Sequence, residues 1–148
     1  MLFCFTECIQ IMVYIILNDC YLSSRRRSLS FGHQKAEIVE VAWEGDSLDV
    51  IRRFPSPVRQ DLGAELRRLQ ESSRPLNSRP MPSIGARVYE LKEQDERAWY
   101  RVIYLAKIGN RIHVLHCFEK KSAKTGKNDL AIAKARLKQV LARLAEEK

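Results

Sequence analysis

The chain has 148 residues, of which 45% are hydrophobic and 30% are charged, with only 6 Gly and 5 Pro. This composition excludes collagen-like, low-complexity and wholly disordered chains, and the length suits a single domain. Lys and Arg together number 26 against 18 Asp and Glu, which gives a net charge of +8. The expected partner is therefore acidic: a nucleic acid, an anionic membrane surface or an acidic protein.

The first part of the chain differs in composition from the rest. Residues 1–22 are mostly apolar, but the longest uninterrupted run, 11–17, is much shorter than the ~20 residues that span a bilayer. Three arginines at 25–27 follow this stretch, whereas a signal peptide carries its positive charge before it. An inverted membrane anchor stays open, although Glu7 and Asp19 disfavour it. We interpret residues 1–34 as an N-terminal extension, either disordered or the product of a misassigned start codon.

The cysteines are unevenly placed. Cys4, Cys8 and Cys20 lie in the first twenty residues, and Cys117 is the only other one. A secreted disulfide scaffold distributes its cysteines through the fold, and no second Cys/His pair follows Cys4 and Cys8 at the spacing of a zinc site. The pattern therefore indicates reduced thiols in a cytoplasmic protein, with no metal.

From residue 35 to residue 148 the chain predicts one α+β domain. Residues 37–43, EIVEVAW, are rich in strand-forming types. A short helix is expected from Ser47 to Phe54, followed by a second helix that begins at Ser56-Pro57. The second helix has an apolar stripe at the helical period: Val58, Leu62, Leu66 and Leu69. Residues 72–85, with three Pro, four Ser and one Gly, predict a loop.

Three strands and a long helix follow. The strands are expected at 87–92, 98–106 and 111–118, with turns at Asp95 and at Gly109-Asn110, which predicts an antiparallel meander. The last helix runs from about residue 128, and its apolar side comprises Leu130, Ala133, Leu137, Leu141 and Leu144. The predicted architecture is an antiparallel sheet with helices packed on one face, in the order β-α-α-β-β-β-α.

Cations are concentrated near the end of the meander, and the sequence contains no glycine-rich phosphate loop, HExxH or GxSxG motif. Arg101 lies in the middle strand, within WYRVIY. The segment 116–129, HCFEKKSAKTGKND, places four lysines between the last strand and the last helix: Lys120, Lys121, Lys124 and Lys127. Loops at the ends of strands commonly carry functional groups, and nearby aromatic side chains such as Trp99 could stack on bases.

Each of these features also has an ordinary structural interpretation. A lysine-rich loop before a helix is commonly a solvated surface. Arg101 could pair with Glu90 on the neighbouring strand, and strand aromatics are commonly core residues. The two-residue period of a strand predicts that His113 and His116 lie on opposite faces, so that at most one of them faces a given site.

Four stretches carry a resemblance to a known family. They are FPSPVRQDLGAELRRLQ (54–70), RVYELK (87–92), WYRVIYLA (99–106) and, the most specific, VLHCFEKKSAKTGKNDLAIAKARL (114–137). Together they resemble the RelE/HigB superfamily of toxins from type II toxin–antitoxin modules, and are most similar to its phage-derived, HigB-like branch. The resemblance covers residues 35–148 and does not extend to the N-terminal segment.

The resemblance implies a small microbial-RNase-like fold and an activity. The implied protein is a ribosome-dependent mRNA endonuclease that inhibits translation by metal-free RNA cleavage. It would act in the cytoplasm, need no cofactor, have no membrane partner, and be neutralised by a helix-turn-helix, HigA-like antitoxin. The alternative is a catalytically inactive family member that binds antitoxin or RNA.

The resemblance also implies roles for individual residues. Arg101 matches the family's strand arginine, and its planar fork suits stabilisation of the charge on a phosphorane. Lys120 and Lys121 match the family's basic pair at the end of the last strand, and the resemblance implies a catalytic role for them, in phosphate binding or acid catalysis. The expected RNA-binding residues are Arg87, Lys92, Lys124 and Lys127. Lys92 stands where the family usually has arginine, which keeps the charge but loses the bidentate geometry. No Tyr or His follows His116, so proton transfer would fall to His116 or to a lysine with a depressed pKa.

Overall fold

The computed structural model describes residues 38–121 and 126–147, and within these residues it contains five strands and three helices. The strands are β1 (Glu40–Trp43), β2 (Ser78–Pro80), β3 (Val88–Gln94), β4 (Trp99–Ile108) and β5 (Arg111–Lys120). The helices are α1 (Ser47–Arg52), α2 (Ser56–Gln70) and α3 (Lys127–Glu146). The chain therefore forms an α+β fold, as predicted.

The five strands form one mixed sheet in the order β1-β5-β4-β3-β2. The β3-β4-β5 meander is antiparallel, as predicted, and β2 also pairs with β3 in the antiparallel sense. The prediction of a wholly antiparallel sheet is wrong at one edge, because β1 pairs with β5 in parallel. A parallel pair requires a long connection, and here α1, α2 and the three other strands provide it.

Strand β2 lies within the segment predicted as a loop. Its residues pair with β3, with Arg79 opposite Glu90 and Pro80 opposite Tyr89. Proline cannot donate to a ladder, and it is accommodated here because β2 is the edge strand of the sheet. The Pro and Ser content of residues 72–85 therefore predicts an irregular segment and does not reveal the short edge strand within it.

Helices cover both faces of the sheet, so the prediction that they pack on one face is wrong. Helices α1 and α2 share an apolar cluster with Val102 and Tyr104 of β4, whereas α3 shares a second cluster with Ile103 and Leu105. Consecutive residues of a strand point to opposite faces. A strand that is apolar on both faces requires a covering layer on each side.

The apolar stripes of the two long helices differ in how well they match the prediction. Three of the four predicted residues of α2 are buried, and Leu69 packs against them from the edge of the cluster. In α3, Ala133, Leu137 and Val140 are buried, but Leu141, which was predicted to face the core, is a largely exposed side chain. The buried side of α3 therefore includes Val140 in place of Leu141, the residue after it.

Among the residues that the structure describes, no helix is long and apolar enough to cross a membrane. The N-terminal extension and the possible membrane anchor both concern residues 1–34, which lie outside the described residues, as do Cys4, Cys8 and Cys20. Cys117 is a free thiol and is buried, and this burial raises its pKa.

Candidate functional site

One surface of the sheet brings several predicted residues together, where β4 begins and β5 ends. Trp99 pairs directly with Lys120, and Lys92 pairs with Arg101. Because directly paired residues project to the same face of a sheet, Lys92, Trp99 and Lys120 share the face on which α3 packs. Arg79, opposite Glu90, projects to this face as well. We call the surface formed by Arg79, Lys92, Trp99 and Lys120 the cationic face.

A cation and an aromatic ring are stacked on this surface. The Nζ atom of Lys92 lies 4.4 Å from the centroid of the Trp99 ring. Such a contact is worth about 0.5–1 kcal/mol at exposed sites and holds both groups in a defined arrangement. The cationic face therefore combines positive charge with a flat apolar surface, which are the two features that single-stranded nucleic acids require.

Arg101 lies beneath the cationic face. Its side chain is 2% exposed, and its Nη1 atom lies 2.6 Å from Oε1 of Glu90, whose side chain is 0% exposed. The predicted ion pair with Glu90 is therefore confirmed. The second carboxylate oxygen, Oε2, lies 3.1 Å from Nε of Arg79. Glu90 thus lies between a buried arginine and an exposed one, and the exposed one was not among the predicted site residues.

Three predicted lysines lie where β5 meets α3. Lys120 is partly buried, with its Nζ atom 3.9 Å from Oδ2 of Asp129, whereas Lys121 and Lys127 are exposed. Lys124 lies outside the described residues. At 3.9 Å the contact between Lys120 and Asp129 is longer than a charge-assisted hydrogen bond.

Arg87 is not part of this surface. It precedes Val88, which pairs with Leu105 near the far end of β4 from Trp99. Its guanidinium donates a hydrogen bond to the carbonyl of Lys107. Arg87 therefore lies apart from the cationic face, where β3 begins, and its RNA-binding role stays a prediction.

His116 is held between two charged residues of α3. Nη1 of Arg136 lies 3.4 Å from Nδ1, and Nε2 lies 3.3 Å from Oδ1 of Asp129. Because a guanidinium only donates, Nδ1 accepts and Nε2 carries the hydrogen that is donated to Asp129. Burial lowers the pKa of His116, and Arg136 lowers it further, against the opposing effect of Asp129. His116 is therefore arranged as a neutral hydrogen-bond donor.

A β-bulge changes which histidines share a face. Ile103 pairs with His116 and the next residue, Tyr104, pairs with Val114, so Leu115 is the extra residue in β5. His113 lies on the α3 face as well, in a groove that it forms with Arg143 and other residues near the end of α3. The prediction that the two histidines face opposite sides is wrong, because a bulge shifts the two-residue period.

Arg136 connects three parts of the fold and was not predicted as a site residue. Its Nη2 atom lies 2.6 Å from Oδ1 of Asp46, and its Nη1 donates to the carbonyl of Leu115 at 3.0 Å. Gly45, with φ +57°, leaves the space for it, since a Cβ atom there would lie 2.6 Å from the guanidinium carbon. A signal was present in the sequence: the arginine follows Ala133 by three residues, a spacing that places both on the apolar side of α3.

The environment of His116 predicts a pH dependence of stability. Its pKa in the folded state lies below the ordinary value of 6.5, so as the pH falls through 6.5 the unfolded chain takes up a proton that the folded chain does not. We expect the free energy of unfolding, measured with urea, to be lower at about pH 5.5 than at pH 7.5. The variant His116→Gln should show a smaller difference between the two values. An equal difference in both proteins would contradict this assignment.

A comparison with known protein families matches the part of the chain that contains the cationic face. A search of curated proteins found no match to the chain. The family model of the phage-derived protein Gp49-like (DUF891) matches residues 49–138, which extend from α1 through the whole cationic face to the middle of α3. The chain therefore belongs to the Gp49-like family of phage-derived proteins, a family associated with RelE/HigB-like toxins.

Proposed function

We propose that this protein is the toxin of a type II toxin–antitoxin module and cleaves mRNA on the translating ribosome, as a HigB-like endoribonuclease. The observation that supports this most directly is the cationic face, on which three cations and an aromatic ring lie across four neighbouring strands. Strand separations of about 4.8 Å make this surface roughly 14 Å wide, which is enough for more than one nucleotide. Membership of the Gp49-like family is consistent with this function.

The reaction requires charge stabilisation, which lysines can supply. In metal-free cleavage the 2′-hydroxyl loses its proton and attacks phosphorus, and the bond to the 5′-oxygen breaks as that oxygen gains a proton. The phosphorane between these steps carries additional negative charge. We assign its stabilisation to Lys120 and Lys121, at the end of β5, with Lys127 at the start of α3 binding the flanking backbone.

We assign His116 a role as a hydrogen-bond donor. A phosphate oxygen that replaces Asp129 would receive the Nε2 hydrogen of His116 and, at the same time, the charge of Lys120, because Asp129 contacts both. A neutral imidazole donor of this kind needs no change of protonation during the reaction. The proton-transfer role that the resemblance implied fits less well, because Arg136 occupies the Nδ1 side of the ring.

The proposed protein partner is a helix-turn-helix antitoxin with an acidic surface. The same cations that bind phosphates can pair with carboxylates, so an antitoxin that covers the cationic face would block RNA from it. The net charge of +8 favours rapid association with such a partner. These contacts would also make the complex sensitive to salt.

The test is a map of RNA 5′ ends after brief, tightly controlled expression in a bacterial host. Wild-type protein should produce new ends within translated reading frames, and the variant Lys120→Ala/Lys121→Ala should not. Both proteins should accumulate to the same level in folded form. If the wild-type protein produces no new ends, the endonuclease proposal is wrong and the alternative of a non-catalytic binding protein is favoured.

A further inference from the structure

A groove of about 400 Å³ lies next to the cationic face, between the residues that precede β2 and the adjoining ends of β3 and β4. Arg79, Lys92 and Trp99 line one part of it, and Leu76 contributes an exposed apolar side chain. The carboxylate of Glu93, which also lines the groove, accepts a hydrogen bond from Asn77 at 2.8 Å. The groove thus has two cations, one aromatic ring and a carboxylate that already has a partner.

Arg79 is the arginine that this groove presents to solvent. Its side chain is 67% exposed, whereas Arg101 is 2% exposed. Its Nε atom lies 3.1 Å from Oε2 of Glu90, an ion pair that places Arg79 at the wall of the groove. An exposed, planar guanidinium can donate two parallel hydrogen bonds to a phosphate.

The charge balance beneath Arg79 favours an anion. Glu90 carries one negative charge, and it lies between two arginines, Arg79 and Arg101. Lys92, which is directly paired with Arg101 on the neighbouring strand, adds a third positive charge. With the Glu93 carboxylate of the groove counted as well, the three cations still outnumber the two carboxylates, and this part of the sheet keeps a net positive charge.

We propose that Arg79 is the arginine that contacts an RNA phosphate, and that Trp99 stacks on the adjacent base in this groove. Arg101 then acts indirectly: it compensates the buried charge of Glu90, which in turn forms the ion pair with Arg79. This inference rests on the proposed function, because it names the part of the substrate that the groove binds. Under this proposal the phosphate is bound by the exposed Arg79 of β2, and the buried Arg101 of β4 does not contact it.

The chain contains a well-matched control for Arg79. Arg67 of α2 is 56% exposed, and its Nε lies 3.1 Å from Oε1 of Glu71, so it matches Arg79 in exposure and in the distance to a carboxylate, with a partner that is exposed instead of buried. It belongs to α2, which packs on the opposite face of the sheet from α3. A loss of RNA binding that depends only on total charge would affect Arg67→Ala and Arg79→Ala equally.

The experiment measures binding of the full-length protein to a short, fluorescently labelled single-stranded RNA at several salt concentrations. Arg79→Ala should weaken binding about tenfold, the size expected from losing one charge-assisted contact, and should lower the salt slope by about 0.7. Arg79→Lys should keep the salt slope but recover only part of the affinity, because it retains the charge without the fork. Arg67→Ala should bind within about twofold of wild type.

Equal binding by Arg79→Ala and Arg67→Ala would overturn the inference. So would a wild-type protein that does not bind the oligonucleotide. Neither result decides the proposed function, which depends on the appearance of new 5′ ends in translated mRNA. Conversely, RNA binding that depends on Arg79 in a protein that produces no such ends would support the groove and reject the endonuclease.

Discussion

Replacing Arg101 with alanine is expected to destabilise the protein by about 3–5 kcal/mol, because it leaves a buried carboxylate without its buried partner. Glu90 is 0% exposed, and its other arginine partner, Arg79, is largely in solvent. An exposed partner compensates a buried charge only weakly. The free energy of unfolding, measured by urea titration followed by circular dichroism, tests this expectation.

A double variant separates the ion pair from simple loss of packing. Arg101→Leu/Glu90→Leu removes both charges and keeps apolar volume in the core, so it should be more stable than Arg101→Ala by a few kcal/mol. An Arg101→Ala protein within about 1 kcal/mol of wild type would contradict this account of the pair. Because of the expected destabilisation, a loss of activity in Arg101→Ala does not by itself identify a catalytic residue.

Replacing Lys120 with alanine is expected to slow mRNA cleavage by about 10²–10³-fold, the usual effect of removing one group that stabilises developing charge in a transition state. Lys120 is placed for this role by its pairing with Trp99 and by its contact with Asp129 at the start of α3. The measurement is the rate of cleavage of a reporter mRNA in a bacterial translation extract supplied with purified protein.

The matched control is Lys134→Ala, which removes an exposed lysine further along α3. It should cleave at the wild-type rate, because it changes net charge equally but lies outside the cationic face. Lys120→Arg should retain more activity than Lys120→Ala, since it keeps the positive charge. Equal rates for Lys120→Ala and Lys134→Ala would show that Lys120 does not stabilise the transition state.

Much of the architecture was predictable because it depends on local pattern. The helical period identified α2, and the turn residues at Asp95 and Gly109 separated the three strands of the meander. Asp95 acts as a turn residue should: its Oδ1 accepts hydrogen bonds from the backbone N–H groups of Arg97 and Ala98, each at 2.8 Å. Edge strand β2 was missed because its three residues, which include a proline, are too few to show the alternation of apolar and polar residues that predicts a strand.

The candidate site was only partly predictable. The pairing of Arg101 with Glu90 followed from their positions on neighbouring strands, and it is confirmed. Arg79 and Arg136 were missed, since the first lies in a segment that predicted a loop and the second lies on the inward side of a helix. The bulge at Leu115 turned both histidines to one face, and a period of two residues does not reveal an inserted residue.

The sequence by itself determined the α+β class, the meander, membership of a phage-derived family associated with toxins, and the concentration of positive charge near the end of β5. Only the tertiary structure decided which of the cations face solvent. Local pattern depends on neighbours in the chain, whereas exposure depends on which strands pair and which helix covers them. Strand pairing and helix packing buried Arg101, left Arg79 exposed on the same face of the sheet, and placed Arg87 at the far end of β3.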